Sequence, residues 1–321
     1  MSGMPSSIVS YSPDKSTEHK NVKIADSINI KDAVVWLDLK NPSDDELKEL
    51  ENAYELHPLA IEDCREVQRP KIELYDKYFF LVAMHIEYDK GVNTKQLSVF
   101  VGKNYLISVH KEEIEFLDTI KKTITEGGHK VNKYGPDYLL YKIVDKIVDN
   151  YFVVLDVIED NIEVIESEVV KKPTKAVLKN VFKTKKDLLL IRKPIWPLRE
   201  VLHTIQSGTI KTISDKTLLY FRDVYDHMIN VIDLIETYRE LVTTALETYL
   251  SSVNNSLNEI MKVLTVISSL VLFPTLVASI YGMNFRIMPE LGWVYGYPFA
   301  LFIMLSSMIL MYAYFKKRKW A

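Results

Sequence analysis

From Val263 to Phe315 the chain carries only two charges, Arg286 and Glu290, both in the short gap between two apolar runs, Val263 to Ile280 and Tyr297 to Phe315. Each run has about the 17 to 25 residues a helix needs to cross a bilayer, so two membrane spans are predicted, at about 263–281 and 297–315. Between Gly208 and Pro274 there is neither glycine nor proline. Across that stretch Phe221, Tyr225, Met228, Ile232, Ile235, Val242, Leu246, Tyr249, Val253, Leu257, Ile260 and Leu264 recur at near-heptad spacing. An uninterrupted helix there would be about 100 Å long, far more than a bilayer requires. Residues 209–281 are therefore predicted to form one stalk helix whose end is the first span. Its apolar seam asks for partner helices, which implies an oligomer.

The remainder of the chain is patterned differently. Residues 1–20 are aperiodic and read as a flexible tail. Short β-branched and aromatic runs follow, beginning at Ala33, Lys71, Tyr78, Gln96 and Asn104, and the last two flank a tight turn at Gly102-Lys103-Asn104. A helix is expected between the first two strands, started by the capping box Ser43 to Glu46. Residues 21–135 are thus predicted to be an α/β sheet domain. From Pro136 the pattern turns helical: acidic residues crowd the stretch from Asp137 to Glu168 and basic ones the stretch from Lys171 to Lys193, with Pro173 between. Residues 136–208 are expected to form a helical hairpin with an acidic and a basic arm, both solvated faces. The fold class is an α+β cytosolic domain with a long stalk helix and two transmembrane helices.

Within the first span the polar residues fall on one side. Asn258, Met261, Thr265, Ser268, Leu272, Thr275 and Ser279 follow at alternating three- and four-residue steps, which confines them to an arc of about 100°. Hydroxyl and amide groups at membrane depth belong against other helices or water. Packing through small polar residues would explain the stripe. However, two spans per chain enclose nothing, whereas one stripe from each chain of an oligomer would converge on an axis. Met261 and Leu272, with Leu264 at the margin, would then form apolar rings able to close by excluding water. The second span has no such stripe.

Charge sets the orientation. Lys316, Lys317, Arg318 and Lys319, in the tail 316–321, mark the cytoplasmic side, which places both termini there and leaves only residues 282–296 outside. Trp293, Tyr295 and Tyr297 read as outer interfacial anchors, and Tyr312, Tyr314 and Trp320 as inner ones. No N-terminal apolar segment suggests a signal peptide. The single cysteine, Cys64, suits a reducing compartment and reads as a small buried hydrophobe. A net charge of -3 gives no reason to expect nucleic acid. With no Walker loop, nucleotide fingerprint or nucleophile–histidine arrangement, neither an enzyme nor nucleotide-driven pumping is expected. His57 and His227 lack transition-metal spacing and read as structural.

The stretch Tyr281-Gly282-Met283-Asn284-Phe285, at the outer end of the first span, with Met288 to Leu291 after it, resembles the CorA family of magnesium channels and transporters. The likeness extends through His57 to Asp63, Gln68 to Lys71, Asp137 to Asp145, Trp196 to Leu202, Tyr220 to His227 and Asn258 to Thr265. The resemblance implies a homopentameric, funnel-shaped channel in the plasma membrane, with passive Mg²⁺ entry driven by the membrane potential. It implies an outer filter at Gly282, Met283 and Asn284, and lower rings at Thr275 and Asn258. It also implies a gate at Met261, Leu264 and Leu272, and a carboxylate ring at Glu247. Ser279, where relatives can have glycine, would face the pore. It further implies that cytosolic Mg²⁺ is sensed between subunits by Asp63, with Glu62 beside it, and Asp223.

Mg²⁺ sheds water reluctantly, so a site of neutral amide oxygens such as Asn284 suits the hydrated ion. A helix end with Gly282 in a left-handed turn would present those oxygens. Glu290 in the outer loop would attract cations. The alternatives are transport of Co²⁺, Ni²⁺ or Zn²⁺ through the same scaffold, or a membrane-anchored sensor without ion flux; the stripe has no Cys or His for a soft metal.

Overall fold

The computed structural model describes residues 7–12, 16–20, 24–27, 30, 33–126, 133–284 and 286–320. Contacts divide the chain into two units, one of Met1–Ser167 with Lys175–Ala245, the other of Glu168–Thr174 with Leu246–Ala321.

The first unit is built on a seven-stranded mixed sheet. Its strands are β1 (Ser7–Tyr11), β2 (Ser16–Lys20), β3 (Val34–Lys40), β4 (Lys71–Leu74), β5 (Tyr78–Tyr88), β6 (Val92–Gly102) and β7 (Tyr105–His110), in the order β2-β1-β3-β7-β6-β5-β4. The pair β3–β7 is parallel and the other pairs are antiparallel. The loose tail expected over residues 1–20 is corrected here: Ser7–Tyr11 pairs with Val34–Asp38, and Ile8, Val9 and Tyr11 are fully buried. A strand of five residues gains its apolar partners from distant segments, which is why its own composition looked featureless.

Because side chains alternate along strands, the sheet has two distinct faces. Val35, Leu37 and Leu39 of β3 and Ile107 and Val109 of β7 join Leu47 and Leu50 of α2 (Asp44–Tyr54) and Ala60, Ile61 and Cys64 of α3 (Pro58–Arg65) in one apolar core; a single helical turn, α1 (Ile24–Ser27), adds Ile24 to it. The capping box is formed: Ser43 Oγ accepts from Glu46 N, and Glu46 Oε2 accepts from Ser43 N at 2.7 Å. Two helices stand between β3 and β4 where one was expected, since Glu55 takes a left-handed conformation (φ 52°) and ends α2. Burial pushes the Cys64 thiol up to about 12, as suits a packed hydrophobe.

On the other face lie Trp36, Asp38, Ser108 and His110, met by Lys121 of α4 (Glu115–Thr125). Three long helices follow: α5 (Pro136–Lys171), α6 (Lys175–Gln206) and α7 (Asp215–Tyr281). The long helix begins at Asp215 rather than near residue 209: Gly208 turns the chain at φ 74° after α6, and Ser214 Oγ accepts from Thr217 N (3.4 Å) at the start of α7. Asp137 then ties the starts of α5 and α7 together, accepting from Ser214 N (3.0 Å) and Ser214 Oγ (2.8 Å).

Within this unit the seam of α7 is buried by the chain's own helices. Phe221, Met228, Ile235 and Val242 are 0 to 2% exposed. Tyr238 OH donates to Glu159 of α5 (2.7 Å), and the Tyr141 and Phe221 rings lie 6.1 Å apart. This corrects the inference of an oligomer from the whole seam: as far as Val242 it already has partners in the same chain.

The second unit contains the rest of α7, a 3-10 turn (Pro289–Gly292) and α8 (Gly296–Lys317). Both α7 and α8 contain stretches long and apolar enough to cross a membrane. Leu257, Ile260, Met261, Leu264 and Leu272 are each more than half exposed.

Candidate functional site

In the second unit, Asn258, Thr265, Ser268, Thr275 and Ser279 are all exposed, as are Met261, Leu264 and Leu272 between them. The more covered side of the same helix, at Val266, Ser269, Leu270 and Val277, lies elsewhere on the helical wheel. The stripe is thus a continuous surface that this chain leaves uncovered. Thr265 Oγ1 donates to the Met261 carbonyl (2.8 Å) and Thr275 Oγ1 to that of Val271 (2.7 Å). With their protons spent on the helix, these hydroxyls present acceptor lone pairs. In a cation's water shell, whose protons point outward, such acceptors find donors. Glu247, lower on α7, is also exposed.

At its C-terminal end α7 closes with Gly282 N donating to Ala278 O (2.9 Å) and Met283 N to Ile280 O (3.2 Å). The left-handed turn expected at Gly282 is not found; among the described residues the positive φ of glycine occurs at Gly208. The glycine eases a close approach, since a Cβ there would meet the Ala278 carbonyl oxygen at 3.3 Å. Met283 and Asn284 follow, both exposed, while Phe285 lies outside the described residues. Glu290 sits in the 3-10 turn and is exposed.

In the first unit, Asp63 is half-buried on α3 and Glu62 beside it is exposed. Lys71 Nζ stands 2.5 Å from Asp63 Oδ2 and 2.6 Å from Glu73 Oε1. Tyr75 OH donates to the other oxygen of Glu73 (2.8 Å). The Asp63 backbone carbonyl accepts from Gln96 Nε2 (2.8 Å), and Gln96 Oε1 accepts from Gln68 N (2.7 Å). Burial opposes the charge on Lys71, but the two carboxylates outweigh it and hold its ammonium above the usual range. Within the chain itself the Asp63 carboxylate thus already has a counter-charge.

Asp223 is exposed on α7. It acts on Tyr141, whose hydroxyl is pushed up to about 12 chiefly by burial and further by the charges of Asp145 and Asp223. The fold also assembles Asp145, Asp149 and His227, whose ligand atoms all lie within 4.8 Å of one another. Burial, then the neighbouring Asp149, raises the pKa of Asp145, and Lys142 approaches it at 3.5 Å. His227 thus stands beside two carboxylates as well as edge-on to the Phe152 ring. Its partners are about eighty residues away in sequence, so spacing gave no sign of them, although Asp145 and Asp149 share a helix face four residues apart. His57 is structural: it caps α3 by accepting from Leu59 N and stacks on Tyr75. The half-buried carboxylate of Asp63 and the exposed one of Asp223 are oxygen donors of the kind a hard divalent cation takes, so they fit a regulatory Mg²⁺ in chemistry.

Residues 31–317 match the family model described as CorA-like Mg²⁺ transporter protein. The chain is 38% identical to the cobalt/magnesium transport protein CorA of Thermotoga maritima, covering 98% of this chain and 91% of the relative. It is 33% identical to the putative metal ion transporter YfjQ of Bacillus subtilis, over 95% and 96% of the two chains. The complete CorA magnesium transporter structure from Methanocaldococcus jannaschii superposes with a TM-score of 0.87 over the full length of both chains at 23% identity, a likeness of fold. The two apolar spans, the long helix leading into the first of them and the sheet-bearing unit together account for the match, and the chain belongs to the CorA-like Mg²⁺ transporter family.

Proposed function

We propose that this chain forms, as a homopentamer, a passive pathway for hydrated Mg²⁺ across the plasma membrane, with both termini cytosolic and with closure governed by cytosolic Mg²⁺. Membership of the family makes it a membrane protein that transports divalent cations. The observation that carries the finer reading is the exposed stripe of α7, in which acceptor oxygens of Thr265 and Thr275 alternate with Met261, Leu264 and Leu272. Around a shared axis the hydroxyls, with Asn258, Ser268 and Ser279, would hold the water shell of the ion. The apolar residues would form a constriction that shuts by dewetting.

Asn284 and the carbonyls of Gly282 and Met283 form the outer filter in this reading, Glu290 concentrates cations before it, and Glu247 supplies a carboxylate ring below. Neutral oxygens serve because Mg²⁺ keeps its octahedral shell, so recognition runs through water. Asp63, Glu62 and Asp223 draw neighbouring subunits together through a shared cation when cytosolic Mg²⁺ is high. As it falls, the carboxylates repel and the ring loosens. Since the Thermotoga relative is named for cobalt as well as magnesium, Co²⁺ is the second cargo considered.

The test is Mg²⁺ and Co²⁺ flux into proteoliposomes holding the full chain. Asn284→Ala is expected to lose Mg²⁺ selectivity and rate; conduction with unaltered selectivity would remove the filter assignment.

A further inference from the structure

We propose that Lys71 is a tethered competitor for Asp63 and that Glu73 is the site to which it retreats, so that these two residues set the cytosolic Mg²⁺ concentration at which the protein closes. The inference rests on the reading of Asp63 as a regulatory ligand and deepens it.

The argument begins with alternation along a strand. Lys71 and Glu73 are two residues apart on β4 and therefore share a face, and Asp63 comes to that face from α3. The ammonium is held 2.5 Å from Asp63 and 2.6 Å from Glu73, with the three side chains 14 to 35% exposed. The groups around it are held too. Tyr75 OH fixes Glu73 from its far oxygen, and Gln96 anchors the backbone of Asp63. Lys71 thus occupies a defined place between two carboxylates rather than sweeping through solvent.

A carboxylate already neutralised through one oxygen at this distance binds a divalent cation more weakly than when its lysine is elsewhere, so its apparent affinity falls as the paired fraction rises. A lysine with one partner would lose its whole ion pair on leaving. Lys71 keeps Glu73, so the exchange costs half a bridge and the switch stays reversible. A cytosol rich in Mg²⁺ calls for a threshold well above that of a bare carboxylate cluster, and a covalently attached competitor provides one at a fixed effective concentration. The two neighbours then act with opposite sign: loss of Lys71 frees Asp63, and loss of the charge on Glu73 drives Lys71 onto Asp63.

The experiment uses the full chain in detergent and reads the Mg²⁺ concentration that gives half-protection against a protease, alongside the internal Mg²⁺ that half-inhibits flux in proteoliposomes. Lys71→Met is expected to lower both concentrations about fivefold, and Glu73→Gln to raise both by a similar factor. Lys77→Met, which removes the exposed lysine paired with Glu55, is expected to leave them unchanged. Asp63→Ala separates the two readings. If it raises the threshold while Lys71→Met and Glu73→Gln leave it alone, or shift it in the same direction, the competitor is overturned and the regulatory carboxylate stands. If Asp63→Ala itself changes nothing, the regulatory reading fails. Should Lys71→Met not fold, Glu73→Gln decides the matter by its sign.

Discussion

Lys121 Nζ lies 2.6 Å from Asp38 Oδ2, joining α4 to the buried face of the sheet. Asp38 also accepts from Ser108 Oγ, and His110 Nε2 is 3.2 Å from its other oxygen. Burial opposes the charge on Asp38, but His110 and Lys121 overcome it and bring its pKa down to about 2. His110 is likewise opposed by burial, yet Asp38 raises it above its usual value. Asp38→Ala leaves the buried Lys121 ammonium with the exposed Asp118 alone (3.0 Å) and is expected to cost about 3 kcal/mol in unfolding free energy, read from denaturant titration of the full chain in detergent.

The sign with pH follows from the same pair. The depressed carboxyl contributes stability above its unfolded pKa of about 3.9, and that contribution is lost as pH falls toward the folded value. The raised imidazole contributes fully below about 6.5, and that contribution is lost as pH rises through its folded pKa. Thermal unfolding of the full chain, followed by tryptophan fluorescence, is expected to peak in midpoint between those limits. In Lys121→Met the acid limb should move upward in pH, since a principal counter-charge of Asp38 is gone. Trp36 reports from within, because its Nε1 donates to Ser108 Oγ at 2.9 Å.

Leu272 and Thr275 are neighbours on the exposed stripe with opposite parts in the proposed pathway. Leu272→Asn would wet the constriction, and Mg²⁺ flux at high internal Mg²⁺ is expected to rise roughly tenfold, the effect of about 1.4 kcal/mol on a barrier. Thr275→Val keeps the shape and removes the oxygen, and flux should fall. Leu310, exposed on the second span, is the comparison, and Leu310→Ala should conduct as the parent does.

Gly296 opens α8 against the 3-10 turn: a Cβ there would sit 2.2 Å from the carbonyl oxygen of Glu290. The obstacle is backbone, so the turn must move. Gly296→Ala is expected to destabilise by about 1 to 3 kcal/mol, as overpacking does. Gly292→Ala, with nothing within 4 Å of its added Cβ, should be close to neutral. Unfolding midpoints of the two proteins in one detergent compare them directly.

What the sequence disclosed was local. The two apolar runs, the capping box at Ser43 and Glu46 and the turn before Tyr105 are each written within a few neighbouring residues, and periodicity or turn chemistry finds them. What it hid was pairing at a distance. Ser7–Tyr11 looked like tail because the strand it pairs with begins at Val34. Lys71 and Asp63 are only eight residues apart, but the end of α3 and a strand start lie between them, so no helical or strand period relates them. Asp145, Asp149 and His227 meet only because these parts of α5 and α7 share a unit. The proposed filter and sensor residues come from family likeness, since an asparagine after a helix or an aspartate on its face has no signature of its own.

The heptad seam of α7 gives the sharpest contrast between pattern and environment. Ile235 and Leu264 both belong to it by spacing, yet the first is 0% exposed and the second 57%. Ile235→Ala removes packing against the chain's own helices and is expected to lower stability by about 2 to 5 kcal/mol, with the Mg²⁺ threshold unaltered in whatever protein folds. Leu264→Ala opens no cavity within the chain, so its unfolding midpoint should stay near the parent's. Its effect belongs in flux, because a smaller side chain widens the proposed apolar ring and leaves a leak at high internal Mg²⁺. Should Leu264→Ala instead lower the midpoint as much as Ile235→Ala and leave flux unchanged, the exposed seam would be an ordinary packing surface between helices and the constriction would have to be sought elsewhere on the stripe.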